Sequence, residues 1–176
     1  MKSSSRGYAL ALGMFLVDQL AKWAMTGPLM LREVGQIVLL PIFQFTYAEN
    51  RGVSLSLLTA DTATQRWFLV ALTGTIAVGV AVWMAREKNR WDVLALGFVL
   101  GGALGNITDR IRFGYVVDFL DLHFGDFRPF MIFNTADVAI TCGVVLLLAR
   151  SLLLRDKPAE PAKNVAGDQP APETLH

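Results

Sequence analysis

Residues 91–110 read WDVLALGFVLGGALGNITDR, an apolar run that turns abruptly polar at one end. Trp91–Thr108 comes close to the ~20 mostly apolar residues that a helix needs to cross a bilayer. Gly97, Gly101, Gly102 and Gly105 recur in it at helical spacing, so another helix can approach closely. Asn106, Asp109 and Arg110 follow at i, i+3 and i+4, on one face. Arg110 can grip a carboxylate or phosphate with two prongs. The plainer reading is a polar cluster tying this helix to its neighbours. Charge near a bilayer is costly, so ionisable residues at the ends of such segments are functional candidates.

Three more runs have the same character: Tyr8–Met25, Gln65–Ala85 and Ile132–Leu154. The chain has 176 residues, 53% of them hydrophobic, and a mean hydropathy of +0.44. That profile predicts an all-α polytopic membrane protein with four transmembrane helices, one embedded domain over residues 1–155. Thr62 and Gln65 have capping-box spacing before the second run. Its Thr73, Gly74, Thr75 and Gly79 read as a close-packing face. Lys2 and Arg6 ahead of the first run resemble a signal peptide. Asp18 and Lys22 interrupt it, however, and no small-residue cleavage site follows, so a retained first helix is expected. Between the first and second helices, Gln36–Tyr47 is rich in β-formers and reads as one or two short strands broken at Pro41. They predict a small extracytoplasmic sheet on the membrane surface. Residues 156–176 hold four prolines among scattered charges and read as a disordered cytoplasmic tail.

Lysine and arginine set the orientation. Lys2, Arg6, Arg86, Lys88, Arg90, Arg150, Arg155, Lys157 and Lys163 outnumber Arg32, Arg51, Arg66, Arg110, Arg112 and Arg128 on the opposite side. Both termini and the Arg86–Arg90 loop are therefore expected to be cytoplasmic, with residues 27–64 and 109–131 facing outward. A net charge of +1 implies no nucleic-acid partner. Cys142 is the single cysteine, so no disulfide forms within the chain, and the usual His/Cys zinc site is not available. In its greasy run Cys142 reads as an inert buried thiol.

On this topology the polar residues meet just inside the outer surface. Asp18 and Lys22, at i and i+4, can pair; they read as a structural ion pair or as a holder of substrate. Asp118 sits between apolar neighbours in Val116-Val117-Asp118-Phe119, where desolvation raises a carboxyl's pKa. Asp121, His123 and Asp126 read as ordinary exposed loop residues. Asn134 and Asp137 share a face at the start of the fourth helix. A lone carboxylate such as Asp137 in an apolar helix needs a partner or a shared proton. Asp118 is the natural partner, folded back over the helix mouth. Two such carboxylates share a proton, one acting as base and the other as acid, and can hydrolyse a peptide without metal, Ser or Cys. Ser54 and Ser56 have no neighbouring His. A small ion- or proton-coupled transporter is the rival reading, but it expects ionisable residues near the midplane and on both sides.

At these residues the chain resembles the lipoprotein signal peptidase family, also called signal peptidase II. The matches are Asp18-Gln19-x-x-Lys22, Asn50-x-Gly52, Gly101-Gly102-Ala103-Leu104-Gly105-Asn106-x-x-Asp109-Arg110, Val117-Asp118-Phe119 and Phe133-Asn134-x-Ala136-Asp137. The resemblance implies an aspartyl endopeptidase of the bacterial cytoplasmic membrane. It would cut signal peptides from prolipoproteins just before a cysteine that already carries diacylglycerol. It implies Asp118 and Asp137 as the catalytic dyad. Asn106, Asp109, Arg110 and Asn134 would support the site, and Asp18, Lys22, Asn50 and Gly52 would shape it or hold substrate. No cofactor or metal is implied, the partners are prolipoproteins and membrane lipids, and a monomer is expected. One departure stands out: the family continues after Asn50-x-Gly52 with small residues and then Phe, where this chain has Val53, Ser54 and Leu55. Gly52 is expected to need only permissive backbone dihedrals.

Overall fold

The computed structural model describes residues 3–53, 58–59 and 62–153. The expectations for the 156–176 tail and for Ser54, Leu55 and Ser56 lie outside these residues. In chain order the elements are α1 (Ser3–Thr26), α2 (Leu31–Val34), β1 (Gln36–Leu40), β2 (Phe43–Asn50), β3 (Gly52–Val53), β4 (Leu58–Thr59), α3 (Ala63–Arg86), α4 (Arg90–Arg112), β5 (Val116–Leu122) and α5 (Thr135–Leu153). The four long helices fall where the apolar runs predict them. Three of them, α3, α4 and α5, are long and apolar enough to cross a membrane. The 24-residue α1, which carries Arg6, Asp18 and Lys22, is not among those three.

α4 is the axis of the bundle. Over its apolar window 56% is buried, against 17% in α3 and 17% in α5. Its glycines explain this. A Cβ on Gly102 would run into the Ala136 carbonyl of α5, and one on Gly105 into the Asp18 carboxylate of α1. Neither position admits a side chain, so α1 and α5 close on α4 together. The small residues of α3 behave differently from expectation: Gly74 and Gly79 face open space. Thr73 and Thr75 turn their hydroxyls back onto the carbonyls of Leu69 and Ala71, at 2.7 and 2.8 Å. α3 packs on α4 through Ala77 and Met84, which share a core with Val93, Leu96 and Leu100, and its N-terminus is capped. Thr62 Oγ1 accepts from the Gln65 amide and the Gln65 side chain accepts from the Thr62 N–H, the expected capping box.

The sheet corrects the all-α class and the placement between the first two helices. β1 and β2 form an antiparallel hairpin around Pro41–Ile42, and the third strand, β5, comes from the segment between α4 and α5. The order β1-β2-β5 puts the sheet where α1 and α4 end and α5 begins. Phe119 of β5, 1% exposed, packs with Met25 of α1 and Leu31 of α2, seating the sheet on the bundle. A register break between Phe45 and Ala48 marks a bulge in β2. Such a bulge re-aims side chains beside a site.

Two differences follow from the sheet. α5 begins at Thr135 and not at Ile132, because Phe133 is taken by β5: its N–H donates to the Leu120 carbonyl at 3.1 Å and its carbonyl accepts from Leu120 at 2.8 Å. Asp137 therefore lies in the first turn of α5. Cys142 is exposed and not buried. Most of the α5 surface is not covered by protein, and an apolar run alone does not separate a lipid-facing position from a protein-facing one.

Candidate active site

Asn134 organises the site. It caps α5: its Oδ1 accepts from the Asp137 N–H at 3.0 Å, and Asp137 Oδ2 accepts from the Asn134 N–H at 3.1 Å. This is a capping box with an aspartate in the acceptor position. It fixes the Asp137 side chain against the helix mouth, where the positive end of the helix dipole favours a carboxylate. Asn134 Nδ2 reaches the other way and donates to Asp118 Oδ1 at 2.6 Å. One fully buried residue thus touches both carboxylates. Asn106 of α4 completes the frame, donating from Nδ2 to Asp137 Oδ1 at 2.8 Å while its Oδ1 accepts from Asn134 Nδ2 at 3.1 Å.

Asp118 is 2% exposed, and it sits on a strand, where side chains alternate between faces. Asp118 therefore points to the site, and Asp121, three residues on, to the opposite face. Burial pushes the Asp118 carboxyl up to about 7, and the neighbouring Asp137 charge adds to the rise. Hydrogen bonds from Asn134 and Asn50 and the Lys22 charge oppose it. Asn50 ends β2 one diagonal step from Asp118, with its Oδ1 accepting from the Gly52 N–H at 3.2 Å. Gly52 continues into β3 in strand geometry. The positive φ angles among glycines lie at Gly35, Gly114 and Gly125, so Gly52 is not placed for a left-handed turn.

Behind the dyad lies a second cluster. Lys22 Nζ bonds Asp18 Oδ2 at 2.9 Å, Asp109 Oδ2 at 2.8 Å and Asn106 Oδ1 at 3.1 Å. All three ammonium donors are used. Asp18 spends its other oxygen on α5, accepting from the Ala136 N–H at 2.9 Å and from Thr135 Oγ1 at 2.7 Å. Asp109 Oδ2 also accepts from the Val117 N–H at 3.1 Å, which pins the start of β5. The i, i+4 pair of Asp18 and Lys22 thus forms as expected, and with Asp109 it braces α1, α4, β5 and α5. Arg110 stands half-buried within electrostatic reach of Asp137, Asp118 and Asp109, its Nη1 3.5 Å from the Asn106 carbonyl.

Two residues escaped the sequence reading as parts of the site, and a third, Asp121, lies on the opposite face of β5 but is buried against expectation. Gln19 donates from Nε2 to Asp109 Oδ1 at 3.1 Å and to Asp18 Oδ2 at 3.3 Å; its place beside Asp18 was the available signal. Thr135 bonds Asp18, as noted. Asp121, expected in an exposed loop, is 1% exposed. Burial works against its ionisation. Hydrogen bonds from Gln44 at 2.9 Å, Arg128 at 3.2 Å and Thr46 at 3.0 Å outweigh it and lower its pKa. The strand that buries Asp121 was not read from the sequence. Asp126 is exposed as expected.

Beside Asp137 the protein surface opens into an apolar groove of about 320 Å³, lined by Phe130, Met131, Phe133, Val138, Thr141 and Cys142. The dyad therefore borders both an apolar surface and the sheet.

Residues 10–153 match the family model of signal peptidase (SPase) II. The chain is 58% identical over 161 residues to a lipoprotein signal peptidase of Sphingopyxis alaskensis, covering 88% of this chain and 93% of that one. It is 52% identical over 159 residues to one of Rhizorhabdus wittichii, covering 90% and 92%. Its fold is similar to a bacterial membrane enzyme solved by the in meso method at 2.3 Å resolution, with a TM-score of 0.73 and 26% identity over 92% of this chain and 94% of that chain. A polar frame built from all five quoted motifs, a match over most of the chain and these relatives agree: the chain belongs to the signal peptidase II family, a family of aspartic membrane peptidases.

Proposed function

We propose that this protein removes signal peptides from diacylglyceryl-modified prolipoproteins, cutting before the lipidated cysteine, with Asp118 and Asp137 as its catalytic dyad. The observation that carries the reading is Asn134, which hydrogen-bonds both carboxylates while neither is in a salt bridge among the described residues. An acid raised to about 7 beside a second carboxylate keeps one proton between them near neutral pH. Asp137, with both oxygens held by N–H donors, takes a proton from water as the water attacks the scissile carbonyl carbon. Protonated Asp118 hydrogen-bonds the carbonyl oxygen as it gains charge. The C–N bond then breaks as the proton on Asp137 passes to the leaving nitrogen. Asn134 and Asn106 hold the two acids at fixed positions, and Asn50 holds Asp118 from the sheet side. The Lys22 brace sets the relative positions of the elements that carry them.

α1 serves as a fourth span. Leu12, Leu16, Leu20 and Trp23 form an exposed apolar stripe along it, and Asp18 and Lys22 turn inward. The sheet lies on the outer membrane surface, with Val38, Leu40 and Ile42 exposed toward lipid. Both termini face the cytoplasm, and the site opens laterally through its apolar groove, so signal helix and lipid arrive from the bilayer. A single copy contains every residue of the frame.

The test is cleavage of a diacylglyceryl-modified prolipoprotein by purified protein. Wild type cuts. Asp118→Asn and Asp137→Asn each lose at least about 10²–10⁴-fold in turnover, the range typical of acid–base groups, with no fall in melting temperature in detergent. Turnover retained by Asp137→Asn overturns the mechanism.

A further inference from the structure

At the end of the bundle opposite the dyad, two arginines converge without a carboxylate. Arg6 of α1 and Arg90 of α4 line a cavity of about 240 Å³ with Trp91 and Leu94. Among the described residues neither arginine is in a salt bridge. Arg90 instead lies over the Trp91 ring, 5.0 Å from its centroid. The nearby Arg150 is different: it is neutralised by Asp92 at 2.9 Å and donates to Asn89 at 2.8 Å. The unpaired charge that faces this cavity belongs to Arg6 and Arg90.

The same two residues that floor this cavity also border an apolar groove. Trp91 and Leu94, with Phe98, Leu146 and Arg150, line about 350 Å³ between α4 and α5. Trp91, Leu94 and Phe98 follow one another down the same face of α4, away from the arginines and into the apolar part of the bundle. Trp91 is 55% exposed, a ring with one apolar side and one polar edge of the kind found at membrane–water boundaries. Asn106 is fifteen residues beyond Trp91 along α4, about 22 Å away, so this region is separate from the dyad.

We propose that Arg6, Arg90 and Trp91 form a binding site for an anionic phospholipid, with its phosphodiester between the two guanidiniums and an acyl chain along Leu94 and Phe98. Charge complementarity selects the occupant. Two guanidiniums match an anionic phosphodiester, and guanidinium forks bind phosphate in a two-pronged way. A zwitterionic headgroup would bring its ammonium against the same positive charge. Basic pockets between membrane helices, with an apolar groove leading from them, have the chemistry that recognises anionic lipid headgroups.

The test is quenching of tryptophan fluorescence by lipids brominated on the acyl chains, with the full chain in detergent micelles. The share due to Trp91 is the difference between wild type and Trp91→Phe. Brominated phosphatidylglycerol is expected to quench Trp91 at lower mole fraction than brominated phosphatidylethanolamine. Arg6→Gln with Arg90→Gln should weaken that preference about thirtyfold, with melting temperature and peptidase turnover unchanged. In the wild type the preference should shrink as salt rises, which needs no variant. Equal quenching by the two lipids, a preference kept by the double variant, or one indifferent to salt overturns the proposal. So does displacement of the lipid by glycerol 3-phosphate at equal concentration, since the groove would then contribute nothing.

Discussion

Two buried acidic clusters lie side by side in this molecule, and they are built on opposite principles. In one, Asp18 and Asp109 share the ammonium of Lys22, and the four carboxylate oxygens are otherwise occupied by Gln19, Thr135 and the backbone of Ala136 and Val117. In the other, Asp118 and Asp137 are held only by amide and backbone N–H donors. In the first cluster both carboxylates touch a counter-charge and have their hydrogen bonds satisfied, so it braces. The second is held in position with no salt bridge among the described residues, which on the proposed mechanism leaves a proton to be shared and moved. Burial alone does not separate the two, since Asp18, Asp109 and Asp118 are all at most 2% exposed. The identity of the donors does.

That contrast is sharpest when one member is removed from each cluster. Asn at Asp118 or Asp137 should abolish turnover by the margin given above and leave the melting temperature unchanged or raised, because a shared-proton carboxylate is replaced by an amide. Lys22→Met does the reverse. It leaves two buried carboxylates without a counter-charge, at a cost of about 3–5 kcal/mol, and should appear as lost folded protein in detergent before any assay of turnover. Adding Asp18→Asn to Lys22→Met should recover part of that loss. A Lys22→Met protein that melts with the wild type would erase the distinction between brace and dyad.

A smaller effect separates α4 from α3. Gly105→Ala drives a methyl into the Asp18 carboxylate, and overpacking of this kind costs about 1–3 kcal/mol. Gly74→Ala meets nothing and should be neutral or stabilising by up to about 1 kcal/mol. Thermal unfolding of the two variants in one detergent compares them directly; similar losses in both would mean that α3 packs as tightly as α4.

The last difference is in pH. Asp118 has its pKa raised from 3.8 to about 7, so it binds its proton more tightly folded than unfolded. Its contribution to stability is full below about pH 4 and is lost as pH rises through 7. Asp121 has its pKa lowered, so its contribution is present above the unfolded value near 3.8 and is lost as pH falls below it. Melting temperature against pH should therefore slope less steeply between pH 4 and 7 in Asp118→Asn, and fall less at the acid end in Asp121→Asn. The same slope in wild type and Asp118→Asn would remove the shared proton from the account.

The helices and the two carboxylates of the proposed dyad were legible in the sequence for a local reason. A span is about 20 apolar residues in a row, and a capping signal such as Thr62 with Gln65 lies within four residues. The carboxylates stand out because they interrupt such runs. The i, i+4 spacing of Asp18 and Lys22 showed that they can pair, since both are on one helix. What only the tertiary structure decided is everything that depends on pairing between distant segments. β5 belongs to a sheet because β2, nearly seventy residues earlier, hydrogen-bonds to it, and its alternation then sends Asp118 to the site and Asp121 to the far face. Asn134 is one amide among many until the fold puts Asp118 within 2.6 Å of it. The glycines of α3 and α4 look alike in sequence, and only packing shows that one set meets a neighbour and the other meets none. Cys142 fell on the exposed side for the same reason: an apolar run is compatible with lipid and with protein, and the difference is set by which helices close on it.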